Sequence, residues 1–221
     1  MLSSKFNHMP EKMNYILYGN VNDKVDPDEM KLVGRRGDKF PRQLATTDYF
    51  IQDPRYLQAY ANYFCKFIDA YKEQGVNIDM VIYQNEAYSY TPYPGCAWTA
   101  EGTVRFNRDY LGPTLRQKHP EVKLYLGTFN TNRVDYVQKI ASDTKLQEYV
   151  SGMAFQWEGR ESLPVLRKEH PEWNYMCSES ECGRGSFDWG AGEHTFELMN
   201  HYLGNGCNEY TFWNFILADN G

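Results

Sequence analysis

The chain has 221 residues, enough for one large domain with a hydrophobic core. Its net charge of −6 argues against a general nucleic-acid binder, which carries a basic face, and against docking to an anionic membrane. No apolar run approaches the length of a transmembrane helix. No apolar segment follows Lys5 either, so the sequence carries no recognisable signal peptide.

Aromatic side chains are abundant, at 16% of the residues with 18 tyrosines. Flat aromatic faces stack on sugar rings, so this richness suits a carbohydrate site. The alternative is that the tyrosines fill half-buried positions on helices and loops. Composition alone favours that alternative.

Cysteine and histidine patterns argue against a metal or another cofactor. The sequence contains no C-x-x-C and no H-E-x-x-H, and its five cysteines are irregularly spaced. We expect buried free thiols with at most one disulfide. Because a G-x-S-x-G elbow is also missing, Ser178 is not predicted to be a hydrolase nucleophile.

The first fifty residues are polar and read mostly as a long loop, which in a compact domain is often functional. Asp53 and Pro54 then form a helix start, followed by apolar residues at helical spacing. Gly75 ends this helix. The apolar run from Met80 to Tyr83 predicts a strand that is buried on both faces.

The same cycle repeats to the end of the chain. Further helices are predicted at Thr99 to His119, Arg133 to Val150, Ser162 to His170 and Glu193 to Leu203. Further strands are predicted at Val122 to Thr128, Gly152 to Trp157, Asn174 to Ser178 and Glu209 to Phe215. Alternating strands and helices indicate parallel β/α units, so a doubly wound sheet and a (β/α)8 barrel both fit. No linker divides residues 1–221, which are treated as one domain.

Polar groups suited to cleaving and holding sugars follow all five predicted strands. In a barrel the active site lies at the C-terminal ends of the strands. The residues at these ends are Asn85 and Glu86, Asn130, Gln156 and Trp157, Glu179, and Trp213. The sequence therefore predicts that carboxylates, amides and indoles converge on one rim.

Glu86 and Glu179 are the candidate catalytic residues, because two carboxylates suffice for glycoside hydrolysis. An ordinary surface glutamate is the alternative for Glu86, and an ion pair with Arg184 is the alternative for Glu179. Glu181 competes with Glu179, since residues two apart share a strand face. Glu179 is preferred because it directly follows the apolar strand.

Several segments together resemble the family 30 glycoside hydrolases, the glucosylceramidase family. The resemblance covers roughly Arg55 to the C-terminus, and its motifs are specific as an ordered set. The matching segments are Gln84-Asn85-Glu86, Tyr93-Pro94, Cys96, Thr99, Glu101, Leu111 to Leu115, Ser178-Glu179 with Cys182-Gly183, and Tyr210 to Asn214. Ala87 stands where the family's Asn-Glu-Pro motif has proline.

The resemblance implies a retaining β-glycosidase on a (β/α)8 barrel. Glu179 would form a covalent glycosyl-enzyme, and Glu86, with a raised pKa, would act as acid and then base. Asn85 would hold the sugar's 2-hydroxyl, and Trp157 and Trp213 would form walls of the sugar site, with packing in the hydrophobic core as an equal alternative for both tryptophans. Asn130 and Gln156 are further candidates for hydroxyl binding, although loop or surface roles compete for both.

The resemblance also implies that the barrel is incomplete, with strands three to eight present. The first fifty residues are expected to hold strand three, through the segment from Met9 to Met13. Strands one and two and the family's β-sandwich have no counterpart. The chain is therefore expected to be a single catalytic domain or a fragment of one.

The expected partner is an oligosaccharide or polysaccharide, with a β-glucan favoured, and the resemblance implies an extracellular or periplasmic location. The oligomeric state is left open. A non-catalytic carbohydrate-binding protein on a truncated barrel is the alternative function. The glycine-rich segment from Gly183 to Gly192 is interpreted as a mobile active-site loop, since nearby carboxylates disfavour a phosphate cradle.

Overall fold

The computed structural model describes residue 48 and residues 50–87, 98–180 and 188–213. Within them, five parallel strands form one sheet in the order β1-β2-β3-β4-β5, which is also their order along the chain. The strands are β1 Met80–Ile82, β2 Lys123–Phe129, β3 Val150–Gln156, β4 Asn174–Glu179 and β5 Glu209–Tyr210. A doubly wound sheet would reverse its strand order at a switch point. The continuous order is instead that of a (β/α) barrel.

Alternation along the strands separates two buried faces. Leu124, Leu126, Met153 and Phe155 belong to the two large clusters that also contain the helix residues. The residues between them form a separate small cluster built from strands alone, namely Ile82, Tyr125, Ala154 and Met176. The first face packs on the helices and the second faces the barrel interior, so both faces are buried, as the apolar strand sequences predict.

Seven α-helices occur in the described residues. They are α1 Pro54–Glu73, α2 Ala100–Phe106, α3 Gly112–Lys118, α4 Val134–Ala141, α5 Thr144–Gln147, α6 Leu163–Glu169 and α7 Trp189–Gly204. A π-helical turn, Asn107–Leu111, joins α2 to α3, and a 3₁₀ turn, Trp157–Glu161, precedes α6. Asp53 caps α1 and Thr99 caps α2 through their side chains, which confirms both predicted helix starts.

Two predicted helices have different bounds in the structure. The helix predicted from Arg133 to Val150 is interrupted at Ser142, because the Asp143 side chain accepts a hydrogen bond from Leu146 N and starts α5. The last helix begins at Trp189, four residues before the predicted start, with Asp188 as its N-cap. Gly190 and Gly192 obscured this first turn, since glycine is a poor helix former.

The cysteines in the described part of the chain, Cys65, Cys177 and Cys207, are buried free thiols. Cys96 and Cys182 lie outside the described residues, as do the loop and third strand expected in the first fifty residues. Of the segment from Gly183 to Gly192, interpreted as a loop, residues 183–187 also lie outside the described residues, but Trp189 to Gly192 form the first turn of α7, so that part of the interpretation was wrong. No helix among the described residues is long and apolar enough to span a membrane.

Candidate active site

Glu86 lies in the turn that follows β1, and its side chain is buried although it ends in a carboxyl group. Its exposed fraction is 6%. The backbone has a φ of 44°, in the left-handed region that non-glycine residues rarely adopt. The Glu86 amide donates a hydrogen bond to Thr128 Oγ1 at 2.9 Å, which ties the turn to the end of β2.

Glu179 is the last residue of β4, and a register shift determines where it points. Phe155 pairs with Cys177, but the next residue of β3, Gln156, pairs with Glu179 and not with Ser178. Simple alternation from Cys177, which packs on the helices, would also direct Glu179 towards the helices. The irregularity redirects it, as β-bulges do beside active sites. Its carboxylate consequently meets Gln156 and Trp157.

Both oxygens of the Glu179 carboxylate accept a hydrogen bond. Gln156 Nε2 donates to Oε2 at 3.1 Å, and Trp157 Nε1 donates to Oε1 at 3.2 Å. Gln156 is fully buried, and Trp157 has a φ of 45°. Among the residues that the structure describes, Glu86 and Trp157 are the non-glycine residues with a positive φ. Backbone strain is thus concentrated on this site.

A chain of polar side chains connects the two glutamates. Gln156 Nε2 also donates to Asn85 Oδ1 at 3.0 Å, and Thr128 Oγ1 donates to the same oxygen at 3.1 Å. Asn85 Nδ2 and Gln156 Oε1 make no hydrogen bond to any described residue, and Gln156 Oε1 is buried. One donor and one acceptor therefore remain beside Glu179.

Asn130, which follows β2, fixes the carboxylate of Glu86. Its Nδ2 donates to Glu86 Oε1 at 2.6 Å, and its Oδ1 accepts a hydrogen bond from the Glu158 amide at 3.3 Å. The second contact determines which end of the Asn130 side chain carries the nitrogen. The loops after β1, β2 and β3 are thereby joined around one glutamate.

The two carboxylates interact electrostatically. The pKa of Glu179 is raised to about 7, chiefly by burial and secondly by the negative charge of Glu86, and the hydrogen bond from Trp157 partly offsets both effects. Burial disfavours a charged carboxylate, and a neighbouring carboxylate disfavours it again. The pair therefore resists carrying two negative charges at once, which is the electrostatic condition for one proton donor beside one nucleophile.

Gly127 allows the end of β2 to enter the site. Two residues of β2, Gly127 and Thr128, lie opposite Ala154 where the register shifts. Gly127 has a φ of 128°, and a Cβ atom there would lie 2.4 Å from the Ala154 carbonyl oxygen. Only glycine fits, and the irregularity directs the Thr128 hydroxyl to Asn85 and the Glu86 amide.

The structure brings six of the seven candidate site residues into one connected network, namely Asn85, Glu86, Asn130, Gln156, Trp157 and Glu179. The seventh, Trp213, lies beside it: its amide donates to the Ser180 carbonyl at 2.7 Å, and its side chain is 45% exposed. Glu181 and Arg184, the competitor and the ion-pair partner considered for Glu179, lie outside the described residues.

Thr128 is the member of the network that the sequence did not identify. Its position was predicted only as the end of a strand. The sequence did indicate that Thr128 could belong to the site, because Thr128 and Asn130 are two residues apart and so share a strand face. Near the network, the described residues contain no cluster of three or more potential metal ligands.

Comparison with known proteins agrees with the (β/α) barrel that the strand order indicates. Residues 49–221 match the glycosyl hydrolase family 30 TIM-barrel domain. Mouse lysosomal acid glucosylceramidase is 29% identical over 186 residues, which cover 74% of this chain and 35% of the mouse protein. The endo-1,6-beta-D-glucanase neg1 of Aspergillus fumigatus is 27% identical over 145 residues, covering 65% of this chain and 26% of the fungal protein.

Two solved structures share the fold. The endo-beta1,6-glucanase BT3312 superposes with a TM-score of 0.66 and 27% identity, covering 75% of this chain and 39% of that protein. SrfJ from Salmonella typhimurium has the same TM-score of 0.66 at 22% identity, again covering 75% of this chain and 39% of its own. The chain thus spans at most 39% of the length of these four relatives.

Proposed function

Because the chain belongs to glycosyl hydrolase family 30, we propose that it carries the catalytic pair of a retaining β-glycoside hydrolase, with Glu86 as acid/base and Glu179 as nucleophile. The observation that supports this most strongly is the pair of buried, electrostatically coupled carboxylates at the C-terminal ends of parallel strands. The activity of the longer relatives is extended to this chain as part of the proposal.

The proposed reaction has two displacements. In the first, a carboxylate oxygen of Glu179 attacks the anomeric carbon while the bond to the leaving oxygen breaks, and Glu86 gives that oxygen its proton. In the second, Glu86 removes a proton from water, the water oxygen attacks the anomeric carbon, and the bond to Glu179 breaks. Glu86 regains its proton and Glu179 its charge, so both residues end as they began.

Hydrogen bonds to both glutamates support these roles. Gln156 and Trp157 each hold one oxygen of Glu179, which fixes the carboxylate before a substrate arrives. Asn130 donates to Oε1 of Glu86 and fixes the orientation of this carboxyl group. In the free chain the raised pKa is that of Glu179, and the transfer of the pair's proton to Glu86 when substrate binds is part of the proposal.

The unused polar atoms beside Glu179 suit a sugar hydroxyl, which both donates and accepts. Asn85 Nδ2 is proposed to donate to the 2-hydroxyl, and Gln156 Oε1 to accept from a hydroxyl. The partly exposed indole of Trp213 is proposed as a wall of the sugar site.

A β-glucan is the proposed substrate. Two of the relatives, the fungal neg1 and BT3312, are named endo-1,6-β-glucanases, whereas the mouse relative is named a glucosylceramidase. A β-glucan polymer cannot enter a cell, so an enzyme that cleaves it must act outside the cytoplasm. We therefore propose an extracellular or periplasmic location.

Hydrolysis of an aryl β-glucoside tests the function. The 221-residue chain is expected to release the phenol, and Glu179→Gln is expected to lower kcat/KM at least about a thousandfold, since the substitution removes the nucleophile. Proton NMR of the first-formed sugar is expected to show the β-anomer, as retention requires. Glu197→Gln, on an exposed part of α7, is the matched control and should keep the wild-type rate.

Two results would contradict the proposal. First formation of the α-anomer would show inversion and remove the covalent step. A folded chain that hydrolyses no β-glycoside, yet binds β-glucan equally well with and without Glu179→Gln, would be a carbohydrate-binding protein on the same barrel framework.

A further inference from the structure

Thr128 carries a hydroxyl at the centre of the hydrogen-bond network around the two glutamates. Its Oγ1 accepts a hydrogen bond from the Glu86 backbone amide at 2.9 Å and donates one to Asn85 Oδ1 at 3.1 Å. Thr128 is only 1% exposed, so water does not compete for either bond. These two bonds connect the hydroxyl to the side chain of Asn85 and to the turn that carries Glu86.

The direction of the hydrogen bonds at Asn85 follows from which groups can donate. A backbone N–H group only donates, so Thr128 Oγ1 accepts from Glu86 and its single proton is left for Asn85. Gln156 Nε2 donates to the same Asn85 oxygen at 3.0 Å, because its other neighbour is the carboxylate of Glu179. Two donors therefore meet Asn85 Oδ1. One orientation of the amide satisfies both, with Nδ2 turned away from them.

The two donors to Asn85 differ in how they depend on the nucleophile. Gln156 Nε2 also donates to Glu179 Oε2 at 3.1 Å, and this carboxylate loses its charge when it bonds to the sugar in the proposed reaction. The partners of Thr128 are a backbone amide and the neutral side chain of Asn85, neither of which changes charge. Thr128 is therefore the donor whose bond to Asn85 is expected to persist through both displacements.

We propose that Thr128 is a positioning residue for substrate recognition: its hydroxyl holds the Asn85 amide so that Nδ2 is presented to the sugar hydroxyl next to the anomeric carbon. The assignment rests on the proposed function, in which Asn85 donates to this 2-hydroxyl. Hydrogen bonds to the 2-hydroxyl strengthen in the transition state of glycoside hydrolysis. An amide that turns freely would present its oxygen part of the time, so removal of the Thr128 hydroxyl should weaken this interaction.

Two substitutions separate the hydroxyl of Thr128 from its shape. Thr128→Ser keeps a group that can both accept and donate, and it loses only the methyl group. Thr128→Val keeps the branched shape and forms neither hydrogen bond. A difference between the two variants therefore reports the hydroxyl and not the packing around it.

Thr114→Val is the matched control. Thr114 lies in α3 and is also buried, at 6% exposure. Its Oγ1 accepts a hydrogen bond from Gln58 Nε2 at 3.0 Å and donates one to the Tyr110 carbonyl at 2.6 Å. The control thus loses one accepted and one donated hydrogen bond, as Thr128→Val does, but in the helical layer.

The substrates are a dinitrophenyl β-glucoside and its 2-deoxy analogue, which lacks only the hydroxyl that Asn85 is proposed to bind. Neither needs a proton from Glu86, because dinitrophenolate departs without one. Both kcat/KM values are measured on the same preparation, so their ratio does not depend on the folded fraction. The intrinsic reactivity of each substrate is the same for every variant, and a changed ratio therefore reports the protein.

The expected result is a selective loss on the substrate that carries the 2-hydroxyl. Thr128→Val should lower kcat/KM for the glucoside about tenfold and that for the 2-deoxy analogue by less than about twofold. Thr128→Ser should restore the wild-type ratio to within about threefold, and Thr114→Val should keep it. In an Asn85→Ala background, Thr128→Val should cause no further loss, because the side chain that it positions is gone.

Three results would overturn the positioning role and leave the hydrolase proposal intact. Equal losses on both substrates would show a general structural role. A loss with an ordinary aryl glucoside but not with the dinitrophenyl glucoside would show that Thr128 acts through the turn of Glu86. An undiminished effect of Thr128→Val in the Asn85→Ala background would show that it does not act through Asn85.

Calorimetric titration with the iminosugar 1-deoxynojirimycin and its analogue without the 2-hydroxyl separates this inference from the proposed function. If the folded chain hydrolyses no β-glycoside, the hydrolase proposal fails. Thr128→Val should still weaken binding of 1-deoxynojirimycin about tenfold and leave binding of the analogue unchanged. Equal affinity of wild type and Thr128→Val for 1-deoxynojirimycin, or no binding of either compound by wild type, would overturn the positioning role.

Discussion

Glu86 and Trp157 show how much of the site is built at the level of individual residues. Both have a φ near 45°, a conformation that costs a non-glycine residue about 1–3 kcal/mol. Each residue contributes a functional group there: a carboxylate held by Asn130, and an indole that donates to Glu179. The surrounding hydrogen bonds hold these conformations in place.

The charge on Glu86 predicts a pH effect that does not depend on its proposed role as acid. Glu86 is one cause of the raised pKa of Glu179, second to burial. In Glu86→Gln the pKa of Glu179 should fall from about 7 towards, but not to, its ordinary value of 4.5. The acidic limb of kcat/KM should move to lower pH, because this limb reports ionisation of the nucleophile in the free enzyme.

A dinitrophenyl β-glucoside is the substrate for this measurement, since its leaving group departs without a proton and the variant therefore retains activity. With an ordinary aryl glucoside the same variant should lose about 100- to 10,000-fold, the usual contribution of a general acid. Asp135→Asn, on an exposed part of α4, serves as the control. An acidic limb at the same pH in wild type and Glu86→Gln would refute the coupling.

At the level of elements, irregularities in the strands direct the functional side chains. The shift between Leu126 and Phe129 places the Thr128 hydroxyl beside Asn85, and the shift before Glu179 directs its carboxylate to Gln156. A regular strand would have sent Glu179 to the helical side. Two local departures from regular pairing therefore complete the hydrogen-bond network.

Gly127→Ala tests the first of these irregularities. The new methyl group would contact the Ala154 carbonyl at 2.4 Å in a backbone region that alanine avoids. We expect a loss of at least about 2 kcal/mol in the free energy of unfolding, measured with urea, together with reduced activity. Gly192→Ala in α7 meets nothing within 4 Å and should be neutral or stabilising by up to about 1 kcal/mol. Equal stability of the two variants would argue against the close approach.

The sequence predicts the strands and their ends, but it does not predict these irregularities. The strands were predictable because both of their faces are buried, so each reads as an apolar run. The strand ends then identified Glu86 and Glu179. The direction of Glu179 was not predictable, since alternation from Cys177 gives the wrong face and only the register with β3 corrects it. Which residue holds which carboxylate oxygen depended on the same register.

For the whole molecule, the buried pair links stability to pH. Glu179 has a folded pKa of about 7, above its ordinary 4.5, so the folded state binds a proton more tightly than the unfolded state. The corresponding stabilisation is complete below pH 4.5 and is lost as the pH rises through 7. It amounts to at most about 3 kcal/mol.

Glu179→Gln should remove this dependence, because an amide does not titrate. Relative to wild type, the unfolding free energy of the variant should rise between pH 4.5 and pH 8. Urea unfolding at both pH values measures it. Glu197→Gln, which removes an exposed carboxylate of α7, should keep the wild-type trend. A difference that is constant with pH would contradict the assigned burial.

The strand order has a consequence for how the chain is made. Met80 pairs with Lys123, Leu124 with Val150, Gly152 with Asn174 and Met176 with Glu209, so each described strand pairs with the one synthesised directly before it. Folding can accordingly follow the order of emergence from the ribosome. Glu86, the proposed acid, would be placed with the first of these units, and Glu179, the proposed nucleophile, only with the fourth. A nascent chain halted before β4 would contain three β/α units and Glu86, but not Glu179. Activity would therefore appear only after β4 had been synthesised.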